Sequence, residues 1–136
     1  MYGWQPLEHT SDIGLECWGD SLQELVRAVV EGFLCLSFEQ LPAVIPEKEI
    51  ELEFSKQDEF WLLDFLRELI YYWSAHRFVP CIDSIKVEEN GEKIRVRMKL
   101  GRPAVQPVKE IKAATLHGYA LAKENERWKA RIIFDV

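Results

Sequence analysis

Residues 85–100, IKVEENGEKIRVRMKL, decide the fold class of this chain. Asn90-Gly91 separates two segments, and an Asn-Gly pair between alternating segments is typical of a β-hairpin. In the second segment basic residues alternate with apolar ones, so that successive side chains point to opposite faces of a strand. The sequence therefore predicts an antiparallel pair with one buried and one charged face.

Two helices are predicted before this hairpin. Ser21 and Glu24 have the spacing of a capping box and open an apolar stripe of helical period that ends near Ser37. Ser55 and Asp58 repeat the spacing, and a second apolar helix is predicted to follow from Phe60 to Trp73. Its apolar arc is wide, so we expect it to lie deep against a sheet.

Strands account for the rest of the pattern, which predicts the order β-β-α-β-α-β-β-β-β. Two strands precede the first helix and one, over residues 49–54, separates the helices. The hairpin and two strands near residues 112–122 and 128–136 follow. This grouping favours an α+β fold: one domain over residues 1–136, a mostly antiparallel mixed sheet and two helices packed on one face. The alternative is an α/β fold with parallel strands, which the hairpin disfavours.

Length and composition are those of an ordinary globular protein. The chain has 136 residues, of which 48% are hydrophobic. No apolar run approaches the roughly 20 residues of a membrane-spanning helix, and the first residues lack the pattern of a signal peptide, so we expect a cytoplasmic protein without a membrane partner. The cysteines Cys17, Cys35 and Cys81 are too far apart to predict a disulfide framework or a zinc site.

Charge argues against a protein that binds nucleic acid tightly by itself. The net charge is −6, with 19 acidic and 6 basic residues in residues 1–92, and 4 acidic and 11 basic residues in residues 93–136. Phosphate binding requires cationic groups, and the basic row of the hairpin is expected to pair with the glutamates of residues 49–54. An acidic protein can still associate with a basic, RNA-binding partner.

Two acidic groups stand out as candidate ligands. Asp12 lies in the polar segment His9-Thr10-Ser11-Asp12, where its carboxylate could also serve only an Asx turn. Asp135 is followed by the α-carboxylate of Val136, and two adjacent anions favour a basic side chain or a hard cation such as calcium, magnesium or manganese. The alternative for this end is a solvated terminus.

Other candidates are weaker. Lys112 and His117 could support an acidic site or contact a phosphate, although a strand with a solvated basic edge explains them equally. Trp4 and Trp18 could be exposed and form a partner surface.

Taken together, these segments resemble the archease family. The resemblance rests on an opening His-Thr-x-Asp-Ile-Gly signature, a second helix with the pattern Leu-Leu-x-Phe-Leu-x-Glu-Leu-Ile, a late Lys-Ala-x-Thr-x-His motif and a closing strand with a penultimate Asp. These motifs occupy residues 9–14, 62–70, 112–117 and 130–136. The departures are Ser11, where Ala is usual, and Leu116, where an aromatic residue is common. Neither removes a charged group.

The resemblance implies a protein that is not an enzyme. It implies an activator of an RtcB-type RNA ligase in tRNA splicing and RNA repair, which promotes guanylylation of the ligase and its multiple turnover. Contact with RNA would occur only through the ligase, and none with DNA is expected. It also implies a divalent ion, calcium with magnesium or manganese as alternatives, bound by Asp12, Asp135 and Val136. Five residues would then support these ligands or contact the ligase: His9, Thr10, Lys112, Thr115 and His117.

Two other functions stay open. The first is a small metal-dependent hydrolase in which His9 is a base oriented by Asp12, although the sequence offers no evident nucleophile. The second is a chaperone-like binding module that uses exposed aromatic side chains.

Overall fold

A computed structural model describes residues 1–7 and 12–136. In these ranges the strands and helices follow the predicted order, with one short additional strand and a 3₁₀ turn at Ile82–Ser84. The elements are β1 (Gly3–Pro6), β2 (Ile13–Gly19), α1 (Leu22–Phe38), β3 (Val44–Ser55), α2 (Trp61–His76), β4 (Val79–Pro80), β5 (Lys86–Asn90), β6 (Lys93–Pro103), β7 (Ala113–Glu124) and β8 (Arg127–Asp135).

The strands form two antiparallel sheets. The terminal sheet has the order β1-β2-β8-β7, and the hairpin sheet has β6 between β3 on one side and β4 with β5 on the other. The α+β class and the antiparallel pairing are therefore confirmed. The expectation of one mixed sheet differs from the structure because β2 pairs with β8, whereas β3 pairs with β6.

Each helix contacts strands of both sheets, rather than one face of a single sheet. α1 lies against β1, β2 and β8 of the terminal sheet and also reaches β5, and α2 lies against β7, β3 and β4. Phe33 of α1 packs on Phe134 of β8 with ring centroids 5.9 Å apart, and Phe65 of α2 packs on Phe54 of β3 at 6.3 Å. A continuous apolar core thus joins the two sheets through the helices.

The first predicted helix start is confirmed. Ser21 is the N-cap of α1, and its hydroxyl accepts the backbone N–H of Glu24 at 3.1 Å. The Glu24 carboxylate accepts the backbone N–H of Asp20 at 2.9 Å, so the reciprocal bond of the box is made one residue earlier than in the usual motif.

The second helix does not begin at the predicted Ser55 cap. Ser55 is the last residue of β3, and Asp58 donates its backbone N–H to the Ser55 carbonyl at 3.2 Å in a turn. The Asp58 side chain accepts from the backbone N–H of Phe60 at 2.9 Å, and α2 begins only at Trp61. The strand pairing of Ser55 with Lys93 keeps it in the sheet, so the capping pattern here forms a turn.

The hairpin and its charge rows are confirmed. Asn90 pairs with Lys93 across a two-residue turn, and Gly91 has a φ of 60°. On the exposed face Arg95 lies 3.7 Å from Glu51 and 3.4 Å from Glu53. Three basic residues of β6, at positions 93, 95 and 97, are thus paired with the glutamates of β3.

The two N-terminal tryptophans are half-buried, so the expectation that they are exposed is wrong. A side chain at Gly32 would meet the Trp4 ring, and one at Gly3 would meet the Trp18 ring, because both indoles lie against glycines. These rings are part of the packing of the terminal sheet. None of the described helices is long and apolar enough to cross a membrane.

Candidate functional site

Three of the predicted site residues, Asp12, Lys112 and Asp135, lie near the end of β8. Phe134 pairs with Ile13 of β2 on one side and with Ala114 of β7 on the other. Asp12 precedes Ile13 and Asp135 follows Phe134, so both residues lie next to the last pair of β2 and β8. The structure therefore brings the two predicted carboxylates to the same end of the terminal sheet.

Both carboxylates are on the solvent side. Phe134 is buried against Phe33, and because side chains alternate along a strand, Asp135 points away from this core. Asp12 and Val136 are exposed as well. An ion or a partner can reach this end of the sheet without any opening of the core.

Lys112 is fixed to the same end by its backbone. Its N–H donates to the carbonyl oxygen of Asp135 at 2.8 Å, directly before the Ala113–Asp135 pair. Glu110, its acidic neighbour, is bound by the Arg77 guanidinium at 2.9 Å, which holds the pKa of that carboxyl below its usual range. Lys112 makes a smaller electrostatic contribution to the same shift, and its side chain is exposed.

The later motif residues lie farther along β7. Thr115 pairs with Ile133 and Ala120 pairs with Arg131, so residues 116–119 bulge opposite a single residue of β8. Thr115 Oγ1 donates to the carbonyl of His117 at 3.2 Å, and the His117 side chain is exposed. The hydroxyl of Thr115 thus serves the bulge, and His117 presents its imidazole to solvent at some distance from the end of the sheet.

The bulge is held from the other side by Tyr119. Its hydroxyl donates to the carbonyl of Glu59 at 2.8 Å, and its ring packs on Phe60 with centroids 5.9 Å apart. Burial raises the pKa of the Tyr119 phenol. The segment before α2 therefore anchors the bulge that carries His117.

Two of the predicted residues, His9 and Thr10, lie outside the described residues. Among those described, no group of three or more His, Cys, Asp or Glu side chains is close enough to hold a metal ion. Asp12 and Asp135 supply two carboxylates, which are the hard oxygen ligands that calcium and magnesium prefer. Completion of a cation site at this end requires further oxygen ligands, such as the α-carboxylate after Val136.

A cavity of about 330 Å³, which the sequence patterns did not indicate, adjoins the same end. It lies between α2 and the start of β7 and is lined by Arg67, Ile70, Tyr71, Ser74 and residues 112–114. The only sequence signal is the helical spacing of the three polar residues around Ile70, which is common on solvated helix faces.

The outer face of the terminal sheet holds a larger concavity of about 580 Å³, whose lining includes both acidic and basic side chains. Arg127 lies 3.6 Å from Asp20, and Lys129 lies 3.5 Å from Glu124. This face therefore presents charges of both signs.

Comparison of the sequence with known families gives a match over residues 4–136 to the archease protein family (MTH1598/TM1083). The chain is 32% identical to the protein archease of Pyrococcus abyssi, and the alignment covers 100% of both chains. It is 30% identical to the protein archease of Archaeoglobus fulgidus, with 96% of each chain covered.

Comparison of the structure gives the same fold. The solution structure of Methanobacterium thermoautotrophicum protein 1598 is similar with a TM-score of 0.75 and 20% identity, covering 98% of this chain and 99% of that one. The crystal structure of a Thermotoga maritima archease, described as a possible chaperone, is similar with a TM-score of 0.64 and 22% identity, covering 97% and 96%. At these identities the likeness shows the fold alone.

Proposed function

The chain belongs to the archease family, and from this premise we propose that it is a non-enzymatic activator of an RtcB-type RNA ligase. In this role it promotes guanylylation of the ligase and allows repeated turnover in tRNA splicing and RNA repair. The ligase is its direct partner in the cytoplasm, and RNA is contacted through the ligase. The net charge of −6 and the paired charge rows support a partner of opposite charge over a free RNA.

The observation that carries this proposal is the pairing of Ile13 with Phe134, since the residues next to them are Asp12 and Asp135. Carboxylate oxygens are the ligands that hard divalent cations prefer. We propose that Asp12, Asp135 and the α-carboxylate of Val136 hold a divalent ion, calcium with magnesium or manganese as alternatives. Such an ion supplies positive charge that can neutralise a nucleotide phosphate.

The protein residues position this end for docking. The pairing of β8 with β2 and β7 and the Lys112 N–H bond to Asp135 fix the chain end, so little conformational freedom is lost on binding. Lys112 and His117, both exposed, are proposed contacts for the ligase. The acidic end then inserts near the nucleotide site of the ligase and stabilises the conformation that reacts with GTP.

The test is multiple-turnover RNA ligation by a purified RtcB-type ligase with GTP and manganese, with and without a substoichiometric amount of this protein. The proposal predicts a large stimulation by the wild type, a strong loss with Asp12→Asn or Asp135→Asn, and full stimulation by Glu126→Gln. Glu126 is a matched control because it lies in the β7–β8 turn, at the opposite end of β8. Absence of stimulation with a matched ligase would contradict the proposal.

The description of the Thermotoga relative as a possible chaperone favours one other function. A chaperone would suppress aggregation of an unrelated unfolding protein in the absence of any ligase. The activator proposal predicts no such suppression at equimolar concentration. Suppression that persists in Asp135→Asn would favour the chaperone function instead.

A further inference from the structure

The cavity between α2 and β7 has the composition of an anion site. Arg67, Tyr71 and Ser74 are spaced so that one face of α2 carries them. Across the cavity, Lys112 stands at the start of β7. Among the residues that the structure describes, its lining includes a guanidinium, an ammonium, a hydroxyl and a phenol, all of which can donate hydrogen bonds, and no carboxylate.

The two cationic side chains, Arg67 and Lys112, interact only weakly with neighbouring carboxylates. Arg67 has Asp64 at 3.7 Å, one turn earlier on the helix, with side chains that are 53% and 46% exposed. An exposed pair of this geometry contributes only about 0–1 kcal/mol and leaves the planar fork of the guanidinium open. On the other wall, the Glu110 carboxylate makes its ion pair with Arg77 at 2.9 Å, and Lys112 acts on it more weakly.

The floor of the cavity is apolar and fixed. Ile70 and Ala114 are 9% and 3% exposed, so the cationic side chains surround an apolar floor that is shielded from water. Tyr71 is 55% exposed, and its ring is held edge-on by Tyr72 and His76 at 5.4 and 6.0 Å. A positioned aromatic ring beside cationic groups is the combination that stacks a nucleobase and holds its phosphate.

We propose that this cavity binds a phosphate ester, the phosphate on Arg67, Lys112 and Ser74 and a nucleobase on Tyr71. A phosphate fits better than a carboxylate because its oxygens can accept from the guanidinium fork, the ammonium and the hydroxyl together. The volume of about 330 Å³ is at the lower end of the range for small-molecule sites, roughly 300–1,000 Å³. The phosphate would come from a free guanine nucleotide or from an RNA end.

The cavity shares its wall with the acidic end of the terminal sheet. Ala113 lines the cavity and pairs with Asp135, and the Lys112 N–H binds the Asp135 carbonyl. A phosphate here would therefore lie next to the proposed divalent ion, an arrangement whose relevance to ligase guanylylation rests on the proposed function. The phosphate site itself requires neither the ion nor the ligase.

Equilibrium binding to the isolated full chain tests this inference. Inorganic phosphate, guanosine monophosphate and a short single-stranded RNA with a 3′-phosphate are titrated by calorimetry, without metal and with calcium. Binding of guanosine monophosphate alone identifies a free nucleotide as the source, and binding of the RNA alone identifies an RNA end. Either ligand should bind at least tenfold more weakly to Arg67→Gln and to Tyr71→Ala.

Lys109→Gln is the control, because Lys109 is exposed and lies outside the lining of the cavity. The inference is overturned if none of the three ligands binds at millimolar concentration, or if Arg67→Gln and Lys109→Gln bind alike. Thermal unfolding of each variant checks that the fold is retained. Ligase stimulation separates the two proposals. If Arg67→Gln loses phosphate binding but stimulates the ligase fully, the phosphate site has no part in activation. If the wild type binds phosphate but does not stimulate the ligase, only the activator function is contradicted.

Discussion

Lys112 donates its backbone N–H to the carbonyl oxygen of Asp135 at 2.8 Å, and this bond fixes the start of β7 to the end of β8. The bond separates two roles of one residue. The N–H positions the acidic chain end, whereas the exposed ammonium is available to a ligand or a partner.

Lys112→Pro and Lys112→Ala distinguish these roles. Proline lacks the N–H, so Lys112→Pro should lower the free energy of unfolding by about 1 kcal/mol or more and weaken calcium binding. Lys112→Ala keeps the N–H and should change stability by less than about 0.5 kcal/mol. Urea denaturation and calcium titration of both variants check this prediction, which equal stability of the two variants would contradict.

Calcium binding by the isolated protein should depend on both aspartates. Asp12→Asn and Asp135→Asn each remove one anionic ligand, so each should weaken calcium at least tenfold by calorimetric titration. Addition of two glycines after Val136 moves the α-carboxylate away from Asp135 and should weaken binding as well. Unchanged affinity in Asp135→Asn would argue that the ion binds elsewhere, and Glu126→Gln is the control.

Gly101 allows a close approach between β3 and β6. It is buried opposite Pro46, where β3 has an irregularity, and an added Cβ would overlap the carbonyl oxygen of Ile45. Gly101→Ala should therefore cost about 1–3 kcal/mol through overpacking against backbone.

Gly91→Ala is the matched comparison in the hairpin turn. An added Cβ there would meet open space, but the φ of 60° disfavours alanine by roughly 1–2 kcal/mol. Chemical denaturation should show that Gly101→Ala shifts the midpoint at least as much as Gly91→Ala does. A larger shift for Gly91→Ala than for Gly101→Ala would mean that β3 adjusts to the added methyl group with little loss of stability.

Acid should destabilise the fold in a defined window. The ammonium of Lys93 at 2.7 Å lowers the pKa of Glu53 below its ordinary value of 4.5, and Arg77 does the same for Glu110. A carboxyl with a lowered folded-state pKa contributes stability above pH 4.5 that is lost as the pH falls through the folded value. The melting temperature should be nearly constant from pH 7 to about 5 and should fall below pH 4.5.

Salt provides the check on this prediction. Because both carboxyls are exposed, about 1 M salt screens their ion pairs and should shrink the acid-side decrease. Glu53→Gln should shrink it too. An acid transition that is identical in wild type and Glu53→Gln would place its cause elsewhere.

The sequence predicted those features that arise from neighbouring residues. The Ser21 cap, the turn at Gly91 and the pairing of Glu51 with the basic row follow from local spacing and alternation. The same spacing at Ser55 failed as a helix start because pairing with Lys93 holds Ser55 in a strand. The division into two sheets could not be predicted, since it depends on which distant strands pair.

For the candidate site too, the sequence predicted one part and missed another. The family resemblance predicts that Asp12 lies close to the chain end, and the β2–β8 pairing ends next to Asp12 and Asp135. The cavity beside Lys112 depends on how α2 lies against β7, which involves residues about 40 positions apart in the sequence. No local pattern signals such a contact.

The rate of ligase guanylylation by GTP tests the central claim most directly. It is measured under single-turnover conditions with wild type, Asp135→Asn and Glu126→Gln at graded calcium concentrations. The account predicts that wild type and Glu126→Gln accelerate guanylylation equally, and that Asp135→Asn loses at least tenfold of the acceleration unless calcium is raised. Equal acceleration by Asp135→Asn at every calcium concentration would contradict the claim that the acidic end of the terminal sheet activates the ligase.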